Sequence, residues 1–568
     1  MTNYQFTGGT ICAPATIPGT GAISIIRVSG KESLAIADKV IDTKGVPIAE
    51  TEGYRLRYGT IFEADGSVLD NVIVSVFRAP HSYTGENSVE ISCHASRFIV
   101  NKILELLVNA GARIAAPGEF TRRAFVNGKM DLAQAEAVAD VIASQSAASH
   151  RVAMNQLKGG FSSELKVLRE KLLTMTSLLE LELDFSEEDV EFASRKELGQ
   201  LVDDSLTHIR RLTASFSRGN AIKNGIPVAI VGATNTGKST LLNALLGEER
   251  AIVSDIAGTT RDTIEETLNI DGILFRFIDT AGIRETDETI EKIGIDRTFK
   301  KLGEAAVVLG MTDLSRGEAA VLEDADFILS KVNEMGGVKN DGTENDGAET
   351  GGAPLAGTDG ASLAGTGGAS LAETGGAHLA ETDGTSLAET DGASQHGHGD
   401  GQERKVVILV NKCDVAGDFY RDDNGTGYGS GNDLGENMAE ISGNKNVNHD
   451  NNIVSLIENK YDNCKVIPIS AKTGKGLSTL TKTLGEIGSE ITGSTDETLV
   501  TNVRHYEALV RAASALDRVR AGLHIATLPP DLIAQDLREA LYHLGEIVGE
   551  ISTDETLGNI FRNFCIGK

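Results

Sequence analysis

Short apolar runs that end in glycine alternate along the chain with long stretches apolar at every third or fourth position. The two patterns occupy different regions. Between Thr10 and Ser29, the apolar Ile11, Ile23, Ile25, Ile26 and Val28 are interrupted by Pro14, Pro18 and several glycines, which predicts strands joined by tight turns. Residues 72–77 and 89–91 predict further strands, separated by the loop Ala79-Pro80-His81-Ser82-Tyr83-Thr84-Gly85-Glu86. Residues 98–108 set Ile99, Ile103, Leu106 and Leu107 on one side of a helix. Residues 1–125 therefore read as a compact α+β domain. From Asp131 to Arg218 the chain is rich in Ala, Leu, Gln, Glu and Lys, nearly free of proline, and apolar at helical spacing, as at Leu165, Leu168, Leu172 and Leu173. Leu499 to Ile551 repeats that character. Two such halves predict one bundle, built from residues 126–222 and 493–568, with the unit at 223–492 inserted between them.

Residues 335–404 break both patterns. They repeat with a period of eight, aligning Leu355, Leu363, Leu371, Leu379 and Leu387 in Gly-Ala-Ser-Leu-Ala-Glu-Thr-like units. Solenoid repeats run to about 20–50 residues, and one leucine per unit cannot sustain a core. The stretch reads as a disordered acidic insertion, with a partner-binding tail as the alternative. A second insertion, drawn at 416–455, is dense in Asn, Gly and Asp from Asp418 to Asn452 and reads the same way. A length of 568 residues allows about three domains plus linkers. Five scattered cysteines (Cys12, Cys93, Cys413, Cys464 and Cys565) lack ligand spacing and suggest reduced thiols in a cytoplasm. No charged-then-apolar leader and no apolar stretch near the ~20 residues of a membrane span is visible, so a soluble protein is expected, with no membrane partner. The net charge of −29 argues against a generic nucleic-acid coat, though not against a structured RNA held at one local patch.

The chemistry centres on residues 227–262. Val228-Ala229-Ile230-Val231 is an apolar run, Gly232-Ala233-Thr234-Asn235-Thr236-Gly237-Lys238-Ser239 is a loop bounded by glycines, and Thr240 to Leu246 is apolar at helical spacing. In that strand, loop, helix context G-x-x-x-x-G-K-[ST] is a phosphate cradle, whose amides turn inward at a helix N-terminus. Lys238 neutralises the outer phosphates and the Ser239 hydroxyl holds Mg2+. Further on, a strand at 273–278 ends in Asp279-Thr280-Ala281-Gly282, where the aspartate supports the magnesium shell and the glycine senses a terminal phosphate. Another at 406–410 ends in Asn411-Lys412-Cys413-Asp414, and one at 466–469 leads into Ser470-Ala471-Lys472. An ionised Asp414 accepts paired hydrogen bonds that guanine can donate and adenine cannot, so the ligand is GTP. The loop Ser254-Asp255-Ile256-Ala257-Gly258-Thr259-Thr260 can place the Thr260 hydroxyl on the same magnesium. The position after Gly282, where Ras-like enzymes carry a water-orienting glutamine, is Ile283. The acidic candidates nearby are Glu285, Asp287, Glu288 and Glu291, each of which reads by itself as a solvated surface charge.

These motifs make the chain resemble the bacterial MnmE (TrmE) family of tRNA modification GTPases. The likeness extends through Ile25-Ile26-Arg27-Val28-Ser29-Gly30, Ser82-Tyr83-Thr84-Gly85-Glu86, Pro117-Gly118-Glu119-Phe120-Thr121, the run from Arg123 to Ala137, and Phe564-Cys565-Ile566-Gly567-Lys568. The resemblance implies a multidomain chain: an N-terminal α+β domain for folate binding and dimerisation, an α-helical bundle domain, and an inserted Ras-like α/β P-loop G domain. It implies a homodimer that, with the flavoprotein MnmG (GidA) in a heterotetramer, adds an aminomethyl or carboxymethylaminomethyl group to the wobble uridine of certain tRNAs. By the same resemblance Arg27, Glu90, Lys129 and Lys568 bind 5-formyltetrahydrofolate or a related one-carbon folate, and Cys565 serves the modification chemistry. Asn235, Ser254, Ile256 and Thr259 bind K+, which stands in for an arginine finger, and Glu291 orients water. GTP contacts extend over Asn235, Thr236, Gly237, Lys238, Ser239 and Thr240, residues Ser254, Asp255, Ile256, Ala257, Gly258, Thr259 and Thr260, then Asp279, Thr280, Ala281 and Gly282, and finally Asn411, Lys412, Asp414, Ser470, Ala471 and Lys472.

Three features depart from the family pattern. His94-Ala95-Ser96 replaces His-Gly-Gly, the strand at Leu309-Gly310-Met311-Thr312-Asp313 lacks the aspartate expected directly after it, and the two insertions interrupt the G domain. The competing expectation is a regulatory GTP-binding switch of the Era or Der type acting in ribosome assembly, which shares the G motifs. The N-terminal region and the terminal Cys-Ile-Gly-Lys favour the enzyme.

Overall fold

The computed structural model describes residues 8–184, 194–249, 266–278, 303, 305–334, 404–414, 453–461, 464–493, 497–525, 529–551, 554–562, 564 and 567. The chain begins with β1 (Ile11–Pro14), β2 (Ile23–Ser29), α1 (Ser33–Val40), β3 (Ile41–Asp42), β4 (Arg55–Phe62), β5 (Val68–Phe77), β6 (Ser88–His94), α2 (Arg97–Asn109) and β7 (Arg113–Ile114). They form a seven-stranded sheet of order β3-β4-β5-β6-β2-β1-β7, in which only the β1–β7 pair is parallel. Period-two burial explains its two faces. Val72, Val74 and Val76 of β5 pack with Ile36, Ile103 and Leu107 under α1 and α2, whereas Leu56, Tyr58 and Ile73 on the other face are exposed.

Helices α3 (Glu119–Val126), α4 (Leu132–Ala143), α5 (Ala147–Leu157), α6 (Gly160–Asp184), α7 (Arg195–Ala214) and α8 (Phe216–Asn224) follow. Capping boxes start α4 at Asp131, with Gln134, and α5 at Ser146, with Ser149. Leu165, Leu168 and Leu172 of α6 are buried, but Leu173 is 55 % exposed. At about 100° per residue Leu173 sits about 80° from Leu165, off the apolar stripe.

The next unit contains β8 (Ile226–Gly232), α9 (Lys238–Glu249), β9 (Glu266–Ile270), β10 (Ile273–Ile278), β11 (Val307–Asp313), α10 (Glu318–Glu334), β12 (Lys405–Asn411), α11 (Ile453–Lys460), β13 (Cys464–Pro468) and α12 (Leu477–Thr492). Its sheet runs β13-β12-β11-β8-β10-β9, parallel except for the β9–β10 hairpin. Two apolar layers cover it, one with Leu241, Leu245, Leu480 and Leu484, the other with Val321, Ile328, Ile453 and Ile457. Burial on both faces is why β8, β11 and β12 read as unbroken apolar runs. Ile453 is buried in α11, so the polar insertion drawn to 455 stops short of that residue. The octad repeat, residues 335–403, lies outside the described residues.

Helices α13 (Val503–Leu523), α14 (Pro530–Val548) and α15 (Asp554–Arg562) complete the chain. Leu165, Leu172, Leu206 and Ile209 share one core with Leu509, Leu516, Leu537 and Leu544, so segments on both sides of the α/β unit build a single bundle. A buried polar clasp fastens them. Glu136 on α4 takes Arg504 Nε at 2.9 Å, Arg504 Nη2 at 3.0 Å and His505 Nε2 at 2.6 Å. Burial alone would raise the Glu136 pKa, but His505 and Arg504 outweigh it and hold the carboxyl at about 2.

The α/β unit touches the bundle at the tip of the β9–β10 hairpin. Asp271 and Gly272 both have positive φ, the backbone of a tight two-residue turn. Ala148 N donates to Gly272 O at 3.3 Å and Asn269 Nδ2 to Gln145 O at 2.9 Å, while beside them Lys223 of α8 pairs with Asp140 of α4 at 2.9 Å. A cavity of about 260 Å³ lies along this joint, lined in part by Asp140, Gln145, Gln156, Lys223 and Thr267. Among the described residues no helix is long and apolar enough to cross a membrane.

Candidate functional site

In the α/β unit the strand order reverses beside β8, which has β11 on one side and β10 on the other. Such a switch point opens a crevice at the carboxyl ends of the strands. The chain enters it at Gly232, where an added Cβ would stand 2.3 Å from Met311 O. It leaves at Gly237, whose φ of +99 suits glycine and whose Cβ would stand 2.4 Å from Asn411 Nδ2. Asn235 between them also has positive φ, +62. The resulting loop lies tight against β11 and β12, with Thr236 buried and its Oγ1 donating to Ala233 O at 2.9 Å. Lys238 opens α9, and its ammonium donates to Gly232 O at 2.9 Å and Ala233 O at 2.8 Å. Burial lowers its pKa, so this partly desolvated cation sits where an anion would be most welcome. A glycine cradle with an inward-curled lysine suits phosphate, and Ser239, half-buried at the helix start, is positioned to take a cation beside it.

The base side is assembled by one amide. Asn411, 3 % exposed, donates through Nδ2 to Thr236 O at 2.7 Å and accepts Ala471 N on Oδ1 at 3.0 Å. It thereby ties the phosphate loop to the Ser470-Ala471-Lys472 loop. Ser470 is buried and holds its own turn through Lys475 O and Thr473 N, while Lys472 and Asp414 are exposed at the rim. Cys413 is buried, and burial pushes its thiol up to about 11, which leaves it unreactive. Strand β11 runs through Asp313, with Leu314 directly after it. Asp313 Oδ2 accepts Lys412 Nζ at 2.6 Å, and these bonds hold the carboxyl below its usual range against the opposing effect of burial. Ser254, Asp255, Ile256, Ala257, Gly258, Thr259, Thr260, Asp279, Thr280, Ala281, Gly282 and Glu291 lie outside the described residues.

A second cluster forms on the N-terminal sheet. Arg27 on β2 and Glu90 on β6 are register partners, and Arg27 Nε and Nη2 donate to Glu90 Oε1 at 3.0 and 2.8 Å. The guanidinium lies 4.9 Å from the Tyr83 ring centroid and 5.6 Å from that of Phe120. The Tyr83 hydroxyl bonds Thr121 Oγ1 at 2.8 Å, and burial raises its pKa. Beneath, buried Arg123 spans Glu86 and Glu119. Lys129 stands apart, exposed, donating to Pro80 O at 3.1 Å. His94 lies at the far end of β6, paired with Asp70 Oδ1 at 2.7 Å.

The C-terminal tail reaches this cluster. Arg27 Nη1 is 3.5 Å from Gly567 O. Gly567 has φ +101, and a Cβ there would stand 2.0 Å from Pro14 O. Phe561 and Phe564 pack with Leu132, Ala135 and Phe125, and seat themselves against Gly118. Cys565 and Lys568 lie outside the described residues, between and beyond those anchors. The sequence reading missed Tyr83, Phe120 and Gly567 as members of this cluster, although the motifs that carry them were visible.

Comparison with known proteins gives two family matches, the MnmE helical domain over residues 132–565 and the GTP-binding protein TrmE N-terminus over residues 10–129. The tRNA modification GTPase MnmE of Parabacteroides distasonis is 44% identical over 562 residues, 98% of this chain and 100% of the relative. The protein of that name from Bacteroides thetaiotaomicron is 43% identical, over 98% of this chain and 99% of its own. That from Porphyromonas gingivalis is 41% identical, over 100% and 99%.

Proposed function

We propose, for a chain that belongs to the MnmE family of tRNA modification GTPases, an enzyme that hydrolyses GTP and couples hydrolysis to wobble-uridine modification. One observation carries the reading: Asn411 ties a glycine-bounded phosphate loop to a base-side loop in the crevice beside β8. Asp414 reads the guanine edge, and the amides of residues 235–240 receive the phosphates. Lys238 exchanges the Gly232 and Ala233 carbonyls for phosphate oxygens, moving from weak acceptors to charged ones. Ser239 and Thr260 hold Mg2+, and Asn235, Ser254, Ile256 and Thr259 hold K+, positive charges that offset the negative charge growing on the transferred phosphoryl group. Glu291 orients the attacking water.

The N-terminal cluster is the folate site in this reading. The Glu90 carboxylate and the rings of Tyr83 and Phe120 beside Arg27 suit a flat heterocycle bearing N–H donors. In this reading Lys568 completes it, Lys129 would reach it from its place on Pro80 O, and a bound folate would supply a one-carbon unit. Cys565 takes part in the modification, in a homodimer that works in the cytoplasm with MnmG on the C5 position of certain tRNAs.

GTP turnover tests the first part: it is expected to be faster in K+ than in Na+, and equal rates would remove the potassium set. Nucleoside analysis of tRNA from cells lacking the protein tests the second. Loss of the C5 substituent is expected, and unchanged wobble uridines would favour a regulatory switch.

A further inference from the structure

Lys412 stands in left-handed backbone, φ +65, which a residue with a Cβ adopts only when its surroundings hold it there. Its neighbour Asn411 is fastened on both sides, to Thr236 O and Ala471 N. Lys412 itself is fastened at its tip, where Nζ meets Asp313 Oδ2 at 2.6 Å. Asp313 makes a firm anchor. It is 5 % exposed, it ends β11 opposite Asn411 in the sheet register, and its Oδ1 is held by Ser315 N at 3.0 Å and Ser315 Oγ at 2.6 Å. An ammonium engaged by a buried carboxylate is committed to that partner, so what Lys412 offers a neighbour is its four-carbon stem. That stem is tethered at both ends, two residues before the base-reading Asp414.

We propose that Asp313 is a positioning residue for guanine recognition, acting through Lys412, whose stem it stretches into a fixed shelf for the flat base. The inference rests on the GTP-binding reading above. Without the anchor the stem is free to rotate, and the base loses a preformed surface rather than a hydrogen bond.

The test uses the full chain, a fluorescent N-methylanthraniloyl GDP and steady-state GTP turnover. Asp313→Asn is expected to weaken the probe and raise KM for GTP about tenfold, with kcat within about twofold of wild type. Lys412→Met, which keeps the stem but not its anchor, is expected to show the same loss. Asp313→Asn added to Lys412→Met is expected to cost less than about twofold more, since partners acting as one unit are not additive. Ser315→Ala, which removes one of the two bonds on Asp313 Oδ1 but keeps the ion pair with Lys412, is expected to lower affinity less than about twofold. Wild-type affinity in either single variant, or an undiminished tenfold loss when Asp313→Asn is added to Lys412→Met, would overturn the proposal. Should the wild-type chain itself fail to bind the probe, the GTP reading would fall first, a different result from any of these.

Discussion

The crevice beside β8 and the Arg27 cluster solve one problem, holding charged side chains ready in a folded chain, by opposite means. In the crevice, the Lys412–Asp313 pair aside, the polar groups lean on backbone. Lys238 rests on two backbone carbonyls and Asn411 on backbone groups of two loops, all within or next to short contiguous motifs. On the N-terminal sheet the contacts cross the chain: Arg27 meets the Glu90 carboxylate, 63 residues away, and the Gly567 carbonyl, 540 away. A lysine on carbonyls gives up little when a charged ligand arrives, whereas a guanidinium already paired with a carboxylate is fixed in place and shapes a site instead of gripping an anion. The first arrangement suits turnover, the second a resident cofactor.

The largest expected effect breaks the first region alone. Lys238→Ala should reduce GTP hydrolysis about 10³-fold, while affinity for 5-formyltetrahydrofolate, measured by calorimetry, stays at the wild-type value. A parallel fall in folate affinity would show that the two regions are not independent.

Next in size is the clasp in the bundle that joins them. Removing the Glu136 carboxylate takes the charged partner from buried His505 and part-buried Arg504, so Glu136→Ala should destabilise the bundle by about 3 kcal/mol in chemical denaturation. The pH dependence has a definite direction. The folded-state pKa of about 2 lies below the ordinary 4.5, so the carboxylate stabilises the fold above about pH 4.5 and that stability drains away as pH falls toward 2. Glu136→Gln should flatten this window. An unchanged acid limb would assign acid sensitivity to other carboxylates.

The smallest effect sharpens the second region. Gly567→Ala puts a methyl group against Pro14 O and forces a backbone with positive φ onto a residue that resists it. Folate affinity should drop about tenfold as the tail loses its seat, with GTP turnover in the absence of tRNA unchanged. Unaltered folate binding would mean that the tail does not shape that site.

The same contrast explains what could be read from the sequence. The phosphate loop and Asn411-Lys412-Cys413-Asp414 were legible because strand ends in a parallel sheet put contiguous residues in one crevice. The Asp313 anchor carried no signal of its own, because it is the last residue of a largely apolar strand and its partner Lys412 lies 99 positions on. Tyr83 and Phe120 were visible as motif residues, but no spacing rule brings residues 27, 83, 90, 120 and 567 together. The partnership of Glu136 with Arg504, separated by 368 positions, is likewise a product of the bundle's closure and not of any local pattern. Leu173 shows the finer limit, since a run of apolar letters at helical spacing includes members that the wheel turns outward.

The seating of the β9–β10 tip on the start of α5 has a mechanical consequence. Two paired strands of five and six residues form a stiff arm about 17 Å long. A tilt of about 3° at its root would sweep its tip about 1 Å. Because Gly272 O accepts from Ala148 N and Asn269 Nδ2 donates to Gln145 O, any such sweep would meet the start of α5 rather than solvent, which makes the arm a lever with its free end already seated.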